Sequence, residues 1–162
     1  REPGVPAIAD YATGYQRALE ALRRAAPVAE AQGIIMAVEN VWNKFLNAPI
    51  EMRDFIDAVD SPYVGAYFDV GNVMRTGYPQ HWIRVLGSRI ARVHFKDYRV
   101  GVGTGDGFVE LLQGDVDYPA VMAALGDIGY DGYAIAELFA TRHAPEAVPV
   151  RASQAMDLIF QM

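Results

Sequence analysis

Apolar and polar positions along the chain follow two periods, and the switch from one to the other repeats. Between Asp10, a helix N-cap type, and Gly33, a C-cap type, Tyr15, Leu19, Leu22, Ala26 and Ala29 recur three or four residues apart among Arg, Glu and Gln. This predicts an amphipathic helix, with Pro27 as a kink. The nearly continuous apolar run Ile34 to Glu39 follows, the form expected of a strand buried on both faces of a parallel sheet. The pattern then recurs. A helix opens at Pro49 and carries Met52, Phe55, Ile56 and Val59, and Tyr63 to Asp69 reads as a second strand. Pro79 opens another helix with Trp82, Ile83, Val85 and Leu86, and Arg89 to His94 supplies a third strand. A long Gly-rich connection from Tyr98 to Asp117 leads to a helix beginning at Pro119 and stopping near Gly129. Gly132 to Glu137 is the fourth strand, and a last helix spans about Glu146 to Phe160.

Strand alternating with helix predicts a parallel sheet of the α/β class, either doubly wound or a (β/α)8 barrel. A dinucleotide-binding turn would need glycines directly after the first strand, but Asn40-Val-Trp-Asn-Lys-Phe follows. The glycines at 101, 103, 105 and 107 open no helix and read as a mobile loop. No linker divides the chain, so residues 1–162 are expected to form one domain.

Composition narrows the chemistry. The 162 residues carry 14 Lys+Arg against 20 Asp+Glu, a formal charge of −6, which argues against a nucleic-acid or membrane surface. With no Cys there is no thiolate chemistry, leaving carboxylate, imidazole and carbonyl groups as metal ligands, and a cytoplasmic setting is expected. No apolar run approaches the ~18 residues of a membrane span. The opening Arg1-Glu-Pro-Gly-Val-Pro6 resembles no signal peptide, and a start on Arg1 without Met suggests a piece of something longer.

All four strands end in a metal-competent side chain: Glu39, Asp69, His94 and Glu137. The separations of 30, 25 and 43 residues are each about one βα unit. Strands of a parallel sheet point the same way, so these four converge on the face where such folds place their chemistry. Each alone reads as a cap, a rim residue or a core histidine. Together, three carboxylates without a cation would repel one another and lose hydration, a conflict that a divalent metal removes. The oxygen-rich set favours Mn²⁺ first, then Mg²⁺ or Co²⁺. A metal with two open positions fits adjacent oxygens of a polyol or hydroxy-ketone, and Glu39 and Glu137 are placed to act as base and acid on opposite faces of the bound carbon.

The runs Ala37-Val-Glu-Asn40, Tyr67-Phe-Asp-Val-Gly-Asn72, Arg92-Val-His-Phe-Lys-Asp97, Gly114-Asp-Val-Asp-Tyr-Pro119 and Gly129-Tyr-Asp-Gly-Tyr133 leading to Glu137 resemble the xylose-isomerase-like TIM-barrel superfamily. Within it they are similar to the sugar phosphate isomerase/epimerase branch. The resemblance implies that the chain supplies the C-terminal half of a barrel, about four βα units. It also implies that Glu39, Asp69, His94 and Glu137 are metal ligands and that Glu39 and Glu137 double as the acid/base pair. The implied reaction is proton transfer next to a carbonyl through an enediolate. Two positions depart from the ketose 3-epimerases: Asn72 stands where a His is usual, and Phe45 where a Glu is usual.

Around this set, Lys96 is placed to meet a substrate phosphate or hydroxyl, or to pair with Asp97. Trp42 and Phe45 are placed to form an apolar wall or to pack on the next helix. Asn40 and Asn72 can orient the ligands, and Asn72 can also contact substrate. His81 and His143 read as surface residues. Arg92 shares the inward face of His94 by alternation and lacks an evident partner, unless a bulge precedes His94. A half-barrel exposes two strand edges, so a homo-oligomer or pairing with a missing N-terminal half is expected. The readings set against a sugar isomerase or epimerase are a non-catalytic metal-binding fragment or binding module, and an endonuclease-IV-like repair enzyme. The latter would need further metal ligands and a basic groove.

Overall fold

The computed structural model describes residues 9–162; the opening segment Arg1 to Pro6 lies outside the described residues. Helix α1 (Tyr11–Gln32) is capped by the Asp10 carboxylate, which accepts from the Thr13 backbone N–H, and ends on Gly33 in the left-handed conformation. Pro27 lies inside it. Strand β1 (Met36–Glu39), helix α2 (Pro49–Val59), strand β2 (Val64–Asp69), helix α3 (Pro79–Leu86) and strand β3 (Ile90–Phe95) follow. A short antiparallel pair, β4 (Asp97–Tyr98) and β5 (Phe108–Val109), precedes α4 (Tyr118–Asp127), β6 (Ala134–Ala136) and α5 (Val148–Ile159). Pro49, Pro79 and Pro119 each sit in a helix's first turn, where the missing N–H costs nothing.

The main sheet is parallel throughout, in the order β1-β2-β3-β6, with helices covering one face. This is the α/β barrel architecture expected from the alternating pattern. Val64, Ala66 and Phe68 of β2 and Val93 and Phe95 of β3 join Met52, Phe55, Ile83, Leu86 and Val121 in one core. Removing such side chains from water contributes about 1.5–3 kcal/mol each, which fixes the face of every strand. What remains for the other face is Glu39, Tyr67, Asp69, Arg92, His94 and Glu137.

Four details differ from the sequence reading. The first strand starts at Met36, and Ile34 and Ile35 are 61% and 49% exposed, because β1 is an edge strand with helices on one side only. The Gly-rich stretch contains a hairpin: Asp97 pairs with Val109 and Tyr98 with Phe108, and 3-10 turns at Val100–Val102 and Gly105–Gly107 build the tip. The buried Asp97 carboxylate closes this connection by accepting from the N–H groups of Tyr98, Gly114 and Val116. A Cβ at Gly114 would run into that carboxylate, which is why a glycine stands there. Helix α5 starts at Val148, after a 3-10 turn at Pro145–Ala147.

The fourth concerns the irregularity before His94. Ala66 pairs with Ile90 and Tyr67 with Arg92, so one residue of β3, Ala91, is extra. The bulge turns Ile90 into the core but leaves Arg92 on the face of His94, where it is exposed and lies 5.3 Å from the Tyr133 ring centroid. Tyr133 and Ile135 on the same face are 73% and 45% exposed.

Candidate metal centre

The register raises each donor to the mouth of its strand. Glu39 is level with Tyr67, Asp69 with His94, and Glu137 follows β6 directly, its N–H bonded to the Phe95 carbonyl. One donor atom from each of Glu39, Asp69, His94 and Glu137 lies within 4.8 Å of all the others. His94 Nδ1 is 3.2 Å from Glu39 Oε1 and 3.7 Å from both Asp69 Oδ2 and Glu137 Oε2. The imidazole leans on the Tyr67 ring, 4.0 Å between centroids. All four strand-end residues singled out in the sequence are brought together.

A buried asparagine network lashes the ends of β1 and β2. Asn40 Nδ2 donates to the Asp69 carbonyl and Asn40 Oδ1 accepts from the Asp69 N–H, both at 2.8 Å. Asn72 donates its N–H to Asp69 Oδ1 and its side-chain amide to the Asn40 carbonyl. Trp42 Nε1–H closes the circuit on the Asn72 carbonyl at 2.8 Å. Asp69 is thereby held at three points while Oδ2, fully buried, has no hydrogen-bond partner. An unpartnered buried oxygen beside three other donors fits a divalent cation, since leaving such a group unsatisfied is costly. The set is three carboxylates and one imidazole, suited to a borderline or hard divalent ion.

Electrostatics agree. Burial raises the Asp69 carboxyl to about 8, against the pull of the Lys96 charge and the Asn72 N–H. Burial also raises Glu137, but the hydrogen bond from Lys96 and the charges of Lys96 and His94 outweigh it and leave Glu137 below the usual range. At neutral pH and without a cation the proton therefore stays on Asp69 and Glu137 is ionised.

Lys96 is buried and does not pair with Asp97. Its Nζ is 2.7 Å from Glu137 Oε2 and 3.7 Å from Asp69 Oδ2, over the ring of Phe108 (4.4 Å to the centroid) and near that of Phe139 (5.6 Å). Alternation from His94 places Lys96 on the same face, and that signal identifies its partner better than its neighbour in sequence does. Phe108 and Phe139 carried no such signal, since neither belongs to a periodic element. Trp42 packs on Phe108 and Tyr98, at 4.8 and 5.3 Å, and so forms a wall beside the donors. Phe45 instead packs on Tyr11, Tyr15 and Phe55, in contact with α1 and α2. His81 and His143 are exposed. A cavity of about 320 Å³ lined by Lys96, Phe108, Glu110, Glu137 and Phe139 adjoins the donors. A larger one, about 900 Å³, lies at the opposite ends of the strands and contains none of them.

The sequence profile of the xylose isomerase-like TIM-barrel family matches residues 2–159. The chain belongs to that family. It is 31% identical over 137 residues to the "Putative L-ribulose-5-phosphate 3-epimerase SgbU" of Escherichia coli (strain K12), covering 82% of this chain and 48% of that protein. The chain thus spans about half the length of this relative. Among solved structures, a D-psicose 3-epimerase studied with D-fructose superposes with a TM-score of 0.81 at 20% identity, over 98% of this chain and 58% of the other. The IolI protein with a bound zinc atom superposes with a TM-score of 0.80 at 21% identity, over 91% and 56%. Sugar epimerases are thus among the family's members that resemble this chain. Among the described residues no helix is long and apolar enough to cross a membrane.

Proposed function

We propose that this chain is the metal-binding, C-terminal portion of a sugar or sugar phosphate isomerase/epimerase, a single domain whose remaining strands cover the inner face and the edges of β1 and β6. The observation that carries the reading is the orphaned Asp69 Oδ2 among three further donors at the mouth of a parallel sheet. The similarity to epimerases and the spare inner face, with Ile35, Tyr133 and Ile135 exposed, support it.

Glu39, Asp69, His94 and Glu137 hold a divalent ion, Mn²⁺ by preference for an oxygen-rich set, although the similar IolI structure carries zinc. When bound, the ion polarises a substrate carbonyl as a Lewis acid and makes the adjacent C–H more acidic. Glu137, kept ionised by Lys96, takes the proton from the carbon next to the carbonyl and leaves an enediolate. Glu39, on the far side of the donor set, returns a proton to give the isomer or epimer. Trp42 and Phe108 exclude water from the enediolate. Lys96 donates to a substrate oxygen, and Asn72, whose amide N–H₂ is committed to Asn40, offers Oδ1 to a hydroxyl.

The test is proton exchange. Incubation with Mn²⁺ and a panel of ketoses in D₂O should introduce deuterium next to the carbonyl, read by NMR, and Glu137→Gln should lower the exchange rate at least ~100-fold. Metal binding without exchange would favour a non-catalytic metal-binding module, and full exchange in Glu137→Gln would remove that residue from the reaction.

A further inference from the structure

We infer that Arg75, stacked on Trp42 at the rim of the metal centre, is the receptor for the phosphate group of a ketose phosphate. The carbonyl-end chemistry of that ligand rests on the function proposed above, whereas the anion site stands on separate observations.

The first is charge placement. The chain carries a net charge of −6, yet the segments above β1 (residues 40–48) and β2 (residues 70–78) contain no acidic residue and one cation each, Lys44 and Arg75. Among the described residues neither cation lies within 4 Å of a carboxylate. These two loops are thus locally basic, and an anion arriving over them meets no opposing carboxylate on either.

The second is preorganisation. The Arg75 guanidinium carbon is 5.0 Å from the Trp42 ring centroid. The indole is itself fixed, by its N–H on the Asn72 carbonyl and by contacts with Phe108 and Tyr98. Stacking occupies the face of the guanidinium and leaves its N–H edge open, and no side-chain hydrogen bond of Arg75 uses it within the described residues. A planar fork held in place with its donors unspent matches a phosphate dianion, and holding it beforehand lowers the entropy lost on binding.

The third is position. Asp69, Asn72 and Arg75 follow one another at intervals of three, the last two on one 3-10 turn, with the Asn72 N–H on Asp69 Oδ1. Trp42 likewise stands three residues beyond Glu39. The anion receptor is therefore built on the same two strand ends that supply two metal donors. A substrate with its hydroxy-ketone end at the donors and a phosphate at the other end engages both.

Inorganic phosphate is the direct probe, titrated calorimetrically in the presence of EDTA so that no metal contributes. Arg75→Met, which keeps an apolar stem on Trp42, should weaken phosphate binding at least tenfold, and Arg75→Lys should recover only part of it. Arg24→Met, removing an exposed cation of α1, should not change it. The ratio of kcat/KM for a ketose phosphate to that for the matching free ketose should fall at least tenfold in Arg75→Met. Phosphate binding that is absent, or equal in wild type and Arg75→Met, overturns the assignment, as does preference for a uronate over the phosphate. If no ketose exchanges its proton, the isomerase reading fails, while the phosphate titration still decides the role of Arg75.

Discussion

Asp69 ties the stability of the protein to pH and, on the proposed function, to a bound metal ion. Its carboxyl is fully buried, and burial raises it from an ordinary 3.8 to about 8. Between these values the folded chain holds a proton that the unfolded chain has released. Stability due to this group is therefore fully present below about pH 4 and is lost as pH rises toward 8. A shift of this size corresponds to about 6 kcal/mol at most. The lowered Glu137 acts in the opposite sense and offsets part of it, since ionised Glu137 is favoured in the folded state. Asp69→Asn keeps the acceptor for the Asn72 N–H and removes the titration. Urea unfolding in EDTA, followed by tryptophan fluorescence from about pH 4.5 to pH 8, should show wild type losing at least ~2 kcal/mol more than Asp69→Asn. With saturating Mn²⁺ the loss should disappear in wild type, because a cation at Oδ2 replaces the proton, and should be unchanged in Asp69→Asn. Equal pH slopes in the two proteins, or equal stabilisation of both by Mn²⁺, would refute the buried-proton account.

Other perturbations test the supporting structure. Asn40→Ala removes the side-chain partners of the buried Asp69 N–H and C=O, while the Asn40 carbonyl still accepts from Asn72, so it should cost about 2–4 kcal/mol by denaturant unfolding. The same variant should weaken metal binding about 10–100-fold by calorimetry, because Asp69 loses its anchor. Gly114→Ala drives a Cβ into the Asp97 carboxylate and should lower stability by more than about 2 kcal/mol, read as a lower midpoint in thermal unfolding. Phe108→Ala uncovers Lys96 and shortens the Trp42 wall, and should raise deuterium incorporation into trapped solvent-exchange products at the expense of turnover in the same NMR assay.

The sheet and its four terminal donors were readable because short apolar runs between helical periods and termination in Glu, Asp, His and Glu are local patterns. Lys96 was readable in principle, two residues beyond His94 on the same face, but proximity in sequence pointed to Asp97. Asp97 was instead needed by the backbone of Gly114 and Val116, partners 17 and 19 residues away that no short-range pattern reveals. The hairpin escaped for a related reason: two-residue strands have no period, and the glycines at its tip look alike in a hairpin or an irregular loop. The exposed Ile34 and Ile35 show the limit of reading burial from hydrophobicity, since an apolar run is the same whether the covering surface belongs to this chain or to another.

That last point divides the labour within the site. The four donors stand on adjacent strands whose spacing is set by backbone hydrogen bonds within this sheet, and Asp69 is anchored by Asn40 and Asn72, both from the same wall. On the proposed function, metal affinity is therefore expected to be a property of these strands. Arg92, Tyr133 and Ile135 face outward from the same surface with little to cover them, and on the proposed function a substrate lying over the donors would need a second wall to shed its water. Covering that face should change KM for a ketose far more than it changes affinity for Mn²⁺. A calorimetric titration in which this chain binds no Mn²⁺, while a longer protein containing it does, would refute that division.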